Sequence, residues 1–133
     1  MIDFIPYKEA LALKELGFDE PCYAEYWKSV DSEEKYDIEI YLKGDLSGEE
    51  DEYFIFLCDA PTYSQAFRFF REKYKLKGDV KHAESNGSYT YTIWKWNFDN
   101  SIGKWERIGV INSWSTYEEA ELECLKKLIS VVS

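Results

Sequence analysis

The stretch YTYTIWKWNF, residues 89–98, decides how the chain is read, because its five rings make either a stacking surface or the middle of a sheet. Tyr89, Tyr91 and Ile93 share one face of a strand, whereas Trp94, Trp96 and Phe98 fall on the other. The apolar phase therefore changes between Ile93 and Trp94. Two geometries satisfy this change: a bulge that returns all of these side chains to one face, or a strand that is apolar on opposite sides in its two halves. In the second geometry, with helices on one side only, the large rings stand on the open face. They then need a cover, from the N-terminal segment, a partner subunit or a ligand. Trp94, Trp96, Phe98 and Trp105 are accordingly the expected interaction surface. Base stacking works beside a positive groove, and Lys95 is the sole cation within the stretch, so burial under the chain's own aromatic loop or a dimer partner is favoured.

Around this strand, DVKHAE (79–84) and WERIGVI (105–111) read as two more strands. The joining turns are SNGS and DNSIGK, where Asn86-Gly87 and Gly103 permit positive φ, and the three strands form a meander. Before the meander, APTYSQAFRFFREKYKLKG reads as a helix with Tyr63, Ala66, Phe67, Phe70 and Tyr74 as its buried stripe. After it, STYEEAELECLKKLISVV starts a helix at Ser115 or Thr116 and buries Tyr117, Ala120, Cys124, Leu128 and Val131.

The N-terminal half opens with the helix PYKEALALKELG, begun by Pro6 and stopped by Gly17. FDEPCYAEYW cannot continue it past Pro21 and reads as an ordered aromatic loop over the core. YDIEIYLK (36–43) alternates Ile38, Ile40 and Leu42 against polar neighbours, as a half-buried strand does. DLSGEEDE is an acidic turn, and YFIFLC (53–58), apolar on both faces, reads as a central strand antiparallel to the preceding one. The predicted order is αββαβββα. The expected fold is a single α+β domain, residues 1–133, with an antiparallel sheet of about five strands and helices on one face.

Charge is divided unevenly along the chain. The formal net charge is -10, yet residues 1–60 hold 5 Lys and 17 acids whereas residues 61–83 hold 6 basic residues and 2 acids. The acidity repels a phosphate backbone at long range and argues against non-specific nucleic-acid binding. Arg68, Arg71, Lys75, Lys77 and Lys81 form the one basic stretch, either a solvated helix face or a patch for an anion or acidic partner.

Little in the chain suggests catalysis. Cys22, Cys58, Cys124 and His82 have zinc-ligand chemistry but no close pair such as C-x-x-C, and one histidine is the sole base available to a thiolate. DLSGEEDE lacks the alternating ligands and central glycine of a calcium loop, and there is no glycine-rich phosphate loop. No cofactor or metal is expected. Three unpaired cysteines fit a reducing compartment, and the absence of an apolar run or leader pattern fits a cytoplasmic protein without a membrane span.

The helix, three strands and helix of residues 62–131 resemble the double-stranded RNA-binding domain in topology only. In that family the start of the last helix carries lysines against phosphates, whereas here Tyr117, Glu118 and Glu119 occupy it, so the resemblance implies the fold and not the activity. LALKELGFDEPCYAEYW, PTYSQAFRFFREKY and STYEEAELECLKKL together resemble a family of small proteins encoded by phages and prophages of gut bacteria. That family has no established activity, so the resemblance implies a bacterial host cytoplasm but no site. The expectation is a non-enzymatic accessory protein acting through a protein partner or as a homodimer. The alternatives are a nucleic-acid module and an acidic mimic of nucleic acid that binds a host protein.

Overall fold

The computed structural model describes residues 3–30, 36–44, 54–83, 87–99, 102–109 and 112–133. The expected turns at DLSGEEDE, Asn86 and Asn100-Ser101 lie outside the described residues. The class is α+β, with three helices and two three-stranded antiparallel sheets, and the chain divides into two compact units, residues 1–63 and 64–133.

In the first unit, α1 (Tyr7–Glu15) follows Pro6, whose φ of -62° already suits a helix. Gly17 ends it at φ 98°, where Gly17 N–H donates to Lys14 C=O and Phe18 N–H to Leu13 C=O. The strands are β1 (Ala24–Val30), β2 (Tyr36–Leu42) and β3 (Phe54–Ala60), in the sheet order β2-β1-β3.

Two expectations are corrected here. The segment read as an aromatic loop contains β1, the central strand, and YFIFLC is an edge strand paired with β1 rather than with β2. The reason is burial on both faces. Ala24 and Tyr26 are buried on one side and Trp27 on the other, so no alternation shows in the sequence and Pro21 suggests a loop. A register shift between Tyr26 and Trp27 adds Leu57 to β3 and further blurs the pattern. The sheet is held on α1's side by Tyr26 Oη donating to Ile5 C=O at 2.6 Å and by the edge-to-face Tyr7–Tyr26 pair. On the other face Trp27 stacks on Phe54 at 4.8 Å and meets Phe56 edge-on. Edge strand β2 leaves Ile38, Ile40 and Leu42 exposed at 38%, 41% and 53%, so its period is as read but its burial is shallow.

In the second unit, α2 (Tyr63–Lys73) leads into β4 (Leu76–His82), β5 (Tyr89–Asp99), β6 (Ile102–Gly109) and α3 (Tyr117–Val132). The sheet is the expected meander, β4-β5-β6. The element order of the whole chain is thus αβββαβββα, and two sheets of three strands replace the expected one of about five.

Thr116 caps α3, its Oγ1 accepting from Glu119 N–H at 3.1 Å. Ala120, Cys124, Leu125 and Leu128 bury the middle of the helix, while Tyr117 and Val131 at its ends are exposed. The helix lies on β4 and β5 at Gly78, where an added Cβ would stand 2.7 Å from Cys124 Sγ and 3.2 Å from Leu128 Cδ1. Phe67 of α2 borders the same spot. Gly78 pairs with Ile93, so this is the face that Ile93 buries.

Candidate functional site

The phase change in β5 resolves as the second of the two geometries. β4 and β5 pair without interruption from Leu76↔Lys95 to His82↔Tyr89, so Ile93 and Trp94 point to opposite faces. The register shift lies on β6: Ile93 pairs with Gly109 and Trp94 with Arg107, leaving Ile108 as the additional residue. Trp94 and Trp96 therefore stand on the face away from α3, with Trp105 and Arg107 directly opposite Trp96 and Trp94. Phe98 pairs with Gly103 through the backbone, and its side chain lies outside the described ones.

That face also gathers cations, because β4 presents alternate residues to it. Lys77 pairs with Trp94, and its ammonium lies 5.9 Å from the Trp94 ring centroid and 5.0 Å from that of Trp105. These are cation–π distances, at which the ring's negative face attracts the charge. Lys81, two pairs along and opposite Thr90, is exposed on the same face, with Asp79 between the two lysines.

Trp96 and Trp105 meet edge to face, with centroids 5.2 Å apart and planes at 67°. Beside them a cleft of about 340 Å³ is lined by Arg71, Glu72, Lys75, Trp96 and Trp105. Arg71 and Glu72 come from the last turn of α2, and Lys75 from the link into β4. Lys75 has φ 58°, in the left-handed region, and is the one non-glycine residue there among the described residues. Such a conformation costs about 1–3 kcal/mol and is often retained where function needs it. Here it lets the chain turn from helix to strand while Trp96 N–H donates to Lys75 C=O at 2.9 Å.

The sequence therefore located the rings and the cations but not their meeting. Arg71, Lys75 and Lys77 join Trp94, Trp96 and Trp105, whereas Arg68 is exposed on α2 and does not line the cleft. Three contributors were missed. Glu72 is an acid inside the cleft, Arg107 stands opposite Trp94, and Gly103 serves close approach rather than a turn. A Cβ on Gly103 would fall 1.9 Å from Trp96 Cζ2, and Gly103 is not among the positive-φ glycines, which are Gly17, Gly44 and Gly87.

The thiols behave as core groups. Burial pushes Cys22 and Cys124 up to about 12 and Cys58 to about 11, with neighbouring Asp59 raising Cys22 and Asp79 raising Cys124. Lys14 opposes the shift at Cys58 but is outweighed. A thiol held this way is a poor nucleophile at neutral pH. His82 is exposed and packs edge-on against Tyr89 at 5.0 Å. Among the described residues no group of three or more His, Cys, Asp or Glu could hold a metal, and no helix is long and apolar enough to cross a membrane.

No family model matches the chain, and neither a curated protein nor a solved structure matches it.

Proposed function

We propose that this protein is a non-catalytic binding protein, and that the indole-bearing sheet face of residues 64–133 receives an anionic partner. The observation that carries this reading is the convergence of Lys77 on Trp94 and Trp105 with Arg71 and Lys75 on the neighbouring cleft. Aromatic rings beside cations suit a partner with both flat or apolar groups and negative charge. A setting in the cytoplasm of a bacterial host, as a phage or prophage accessory protein, agrees with the three unpaired buried thiols and with the resemblance of the LKELGFDEPC stretch.

The same cations argue against a two-fold homodimer through this face. An isologous contact sets the patch against the same patch of the other copy, so the cations Arg71, Lys75 and Lys77 of one copy would approach those of the other. A heterologous anionic partner meets no such repulsion.

The test is a titration of the full chain at low salt, followed by tryptophan emission, with three polyanions: polyglutamate, a heparin oligosaccharide and a single-stranded oligonucleotide. A saturable change with at least one, lost in the double variant Lys75→Glu/Lys77→Glu, is the expected result. No response to any of the three overturns the reading.

A second reading rests on charge division. Residues 1–63 carry 5 basic and 17 acidic residues, and residues 64–133 carry 11 and 9, so the charge contrast falls at the boundary between the units. Net charges of -12 and +2 support acidic mimicry of nucleic acid by the first unit, aimed at a basic host protein. Co-purification with a DNA-binding host protein, lost when Glu49, Glu50, Asp51 and Glu52 are neutralised, is its expected signature. Those four residues lie outside the described ones.

A further inference from the structure

Resting on the reading of this same face as an anion-receiving surface, we infer that its occupant is a single-stranded nucleic acid. Unpaired bases stack on Trp96 and Trp105, and phosphates lie along Arg71, Lys75 and Lys77.

Four observations favour this occupant over other anions. First, the floor is made of indoles, and every nucleobase has a π-face to set on one, without regard to sequence. Trp96 and Trp105 meet edge to face at 67°, so their planes are turned in different directions. Second, the cleft of about 340 Å³ is near the lower end of the roughly 300–1,000 Å³ of small-ligand sites, a size for one flat ring system.

Third, the cations are spread along the chain: Arg71 lies in the last turn of α2, Lys75 in the link that follows, and Lys77 and Lys81 on one face of β4 with Asp79 between them. A linear polyanion can follow such a spread, whereas a compact anion meets one member. Arg71 and Lys75 have no ion-pair partner among the described residues.

Fourth, Glu72 lines the cleft with the two rings. A carboxylate repels phosphate but accepts from an exocyclic amino group, as carboxylates do from cytosine N4. The base therefore enters the cleft and the phosphates stay outside on the cations. This favours amino-bearing bases, cytosine foremost, over thymine and uracil.

Duplexes do not fit. Paired bases keep their faces stacked on one another, and the start of α3 exposes Glu118 and Glu119, whose charge repels the two phosphate backbones of a duplex. The chain's net charge of -10 further requires that binding be local and salt-sensitive.

The experiment uses the full chain with fluorescein-labelled oligo-dC and oligo-dT of about 12 nucleotides, a hairpin duplex and labelled polyglutamate, at about 20 mM salt and upward. Anisotropy and tryptophan quenching are read together. Expected are saturable quenching by oligo-dC, binding of oligo-dT several-fold weaker, and duplex binding at least about tenfold weaker. For three phosphates the slope of log K against log salt is about -2, and Lys75→Gln reduces it by about 0.7. Trp105→Ala weakens oligo-dC binding about tenfold or more, and Trp105→Phe, which keeps a stacking ring, restores most of it. Circular dichroism shows that both variants are folded.

Equal binding of duplex and single strand, or affinity that ignores Trp96 and Trp105, overturns the inference. If polyglutamate binds and oligonucleotides do not, the occupant is an acidic peptide: the inference fails and the anion-receiving face stands. If no probe binds, both fail.

Discussion

The two units use the same parts to opposite ends. Each has a three-stranded antiparallel sheet with rings on the face away from its packed helix. In residues 1–63 those rings close on one another: Trp27 is 5% exposed, stacked on Phe54, and Tyr41 meets Phe54 edge-on. In residues 64–133 Trp94, Trp96 and Trp105 are only half-buried, and a lysine lies over two of them. Rings covered by other rings are held by the packing itself, at a cost of several kcal/mol to open. A ring covered by a solvated lysine can exchange that cover for a ligand, because the ammonium loses about 0.5–1 kcal/mol in leaving an exposed site. Aromatic content alone does not mark a surface as functional. What lies over the rings does.

The sharpest way to break this comparison is to remove one tryptophan from each unit. Trp27→Ala is expected to cost about 3–5 kcal/mol in urea denaturation, and Trp105→Ala about 1 kcal/mol or less. Similar losses at both positions would erase the distinction. Trp27→Phe should cost much less than Trp27→Ala, since Trp27 Nε1 is buried without a hydrogen-bond partner among the described residues and its removal frees no polar group.

Alkali should act on both units, through Cys22 and Cys58 in the first and Cys124 in the second. Cys22, Cys58 and Cys124 keep their protons in the folded chain to about 11–12, whereas in the unfolded chain they titrate near 9.0. Their contribution is fully present below pH 9 and is lost as pH rises through the folded values. A urea midpoint that falls steadily above pH 9 is expected, with native thiols slow to alkylate at pH 8 and fast once unfolded.

Smaller effects test the packing beneath the face. Gly78→Ala should cost about 1–3 kcal/mol, because its Cβ would collide with Cys124 and Leu128. Lys75→Gly should instead stabilise the fold by up to about 1 kcal/mol by relieving the left-handed backbone, while weakening oligonucleotide binding through loss of a cation. A stabilised variant with undiminished binding would show that the strain serves no site.

How much of this was legible follows from periodicity. α3 was readable because it buries one side, the Ala120–Cys124–Leu128 stripe, and the three strands of the meander were located but not bounded: those read at 79–84 and 105–111 are Leu76–His82 and Ile102–Gly109, and the helix read as far as Gly78 ends at Lys73. β1 was not readable, since a central strand that buries Tyr26 and Trp27 in succession has no period to detect. Trp94, Trp96 and Trp105, like Arg71, Lys75 and Lys77, could be singled out by type. Their convergence depends on where the chain reverses at Lys75 and on the Cβ missing from Gly103, neither of which leaves a pattern in one sequence.

Strand β2 carries a different consequence. It is a sheet edge whose outer row of backbone groups is flanked by exposed Ile38, Ile40 and Leu42 on one side and by Asp37 and Glu39 on the other. Such an edge is a template for adding strands from other molecules, and alternating acids are a common guard against it. Asp37 and Glu39 then have a role in colloidal behaviour rather than in recognition. A chain carrying Asp37→Asn and Glu39→Gln would fold and bind as before, but is the variant most prone to assemble into fibres on storage.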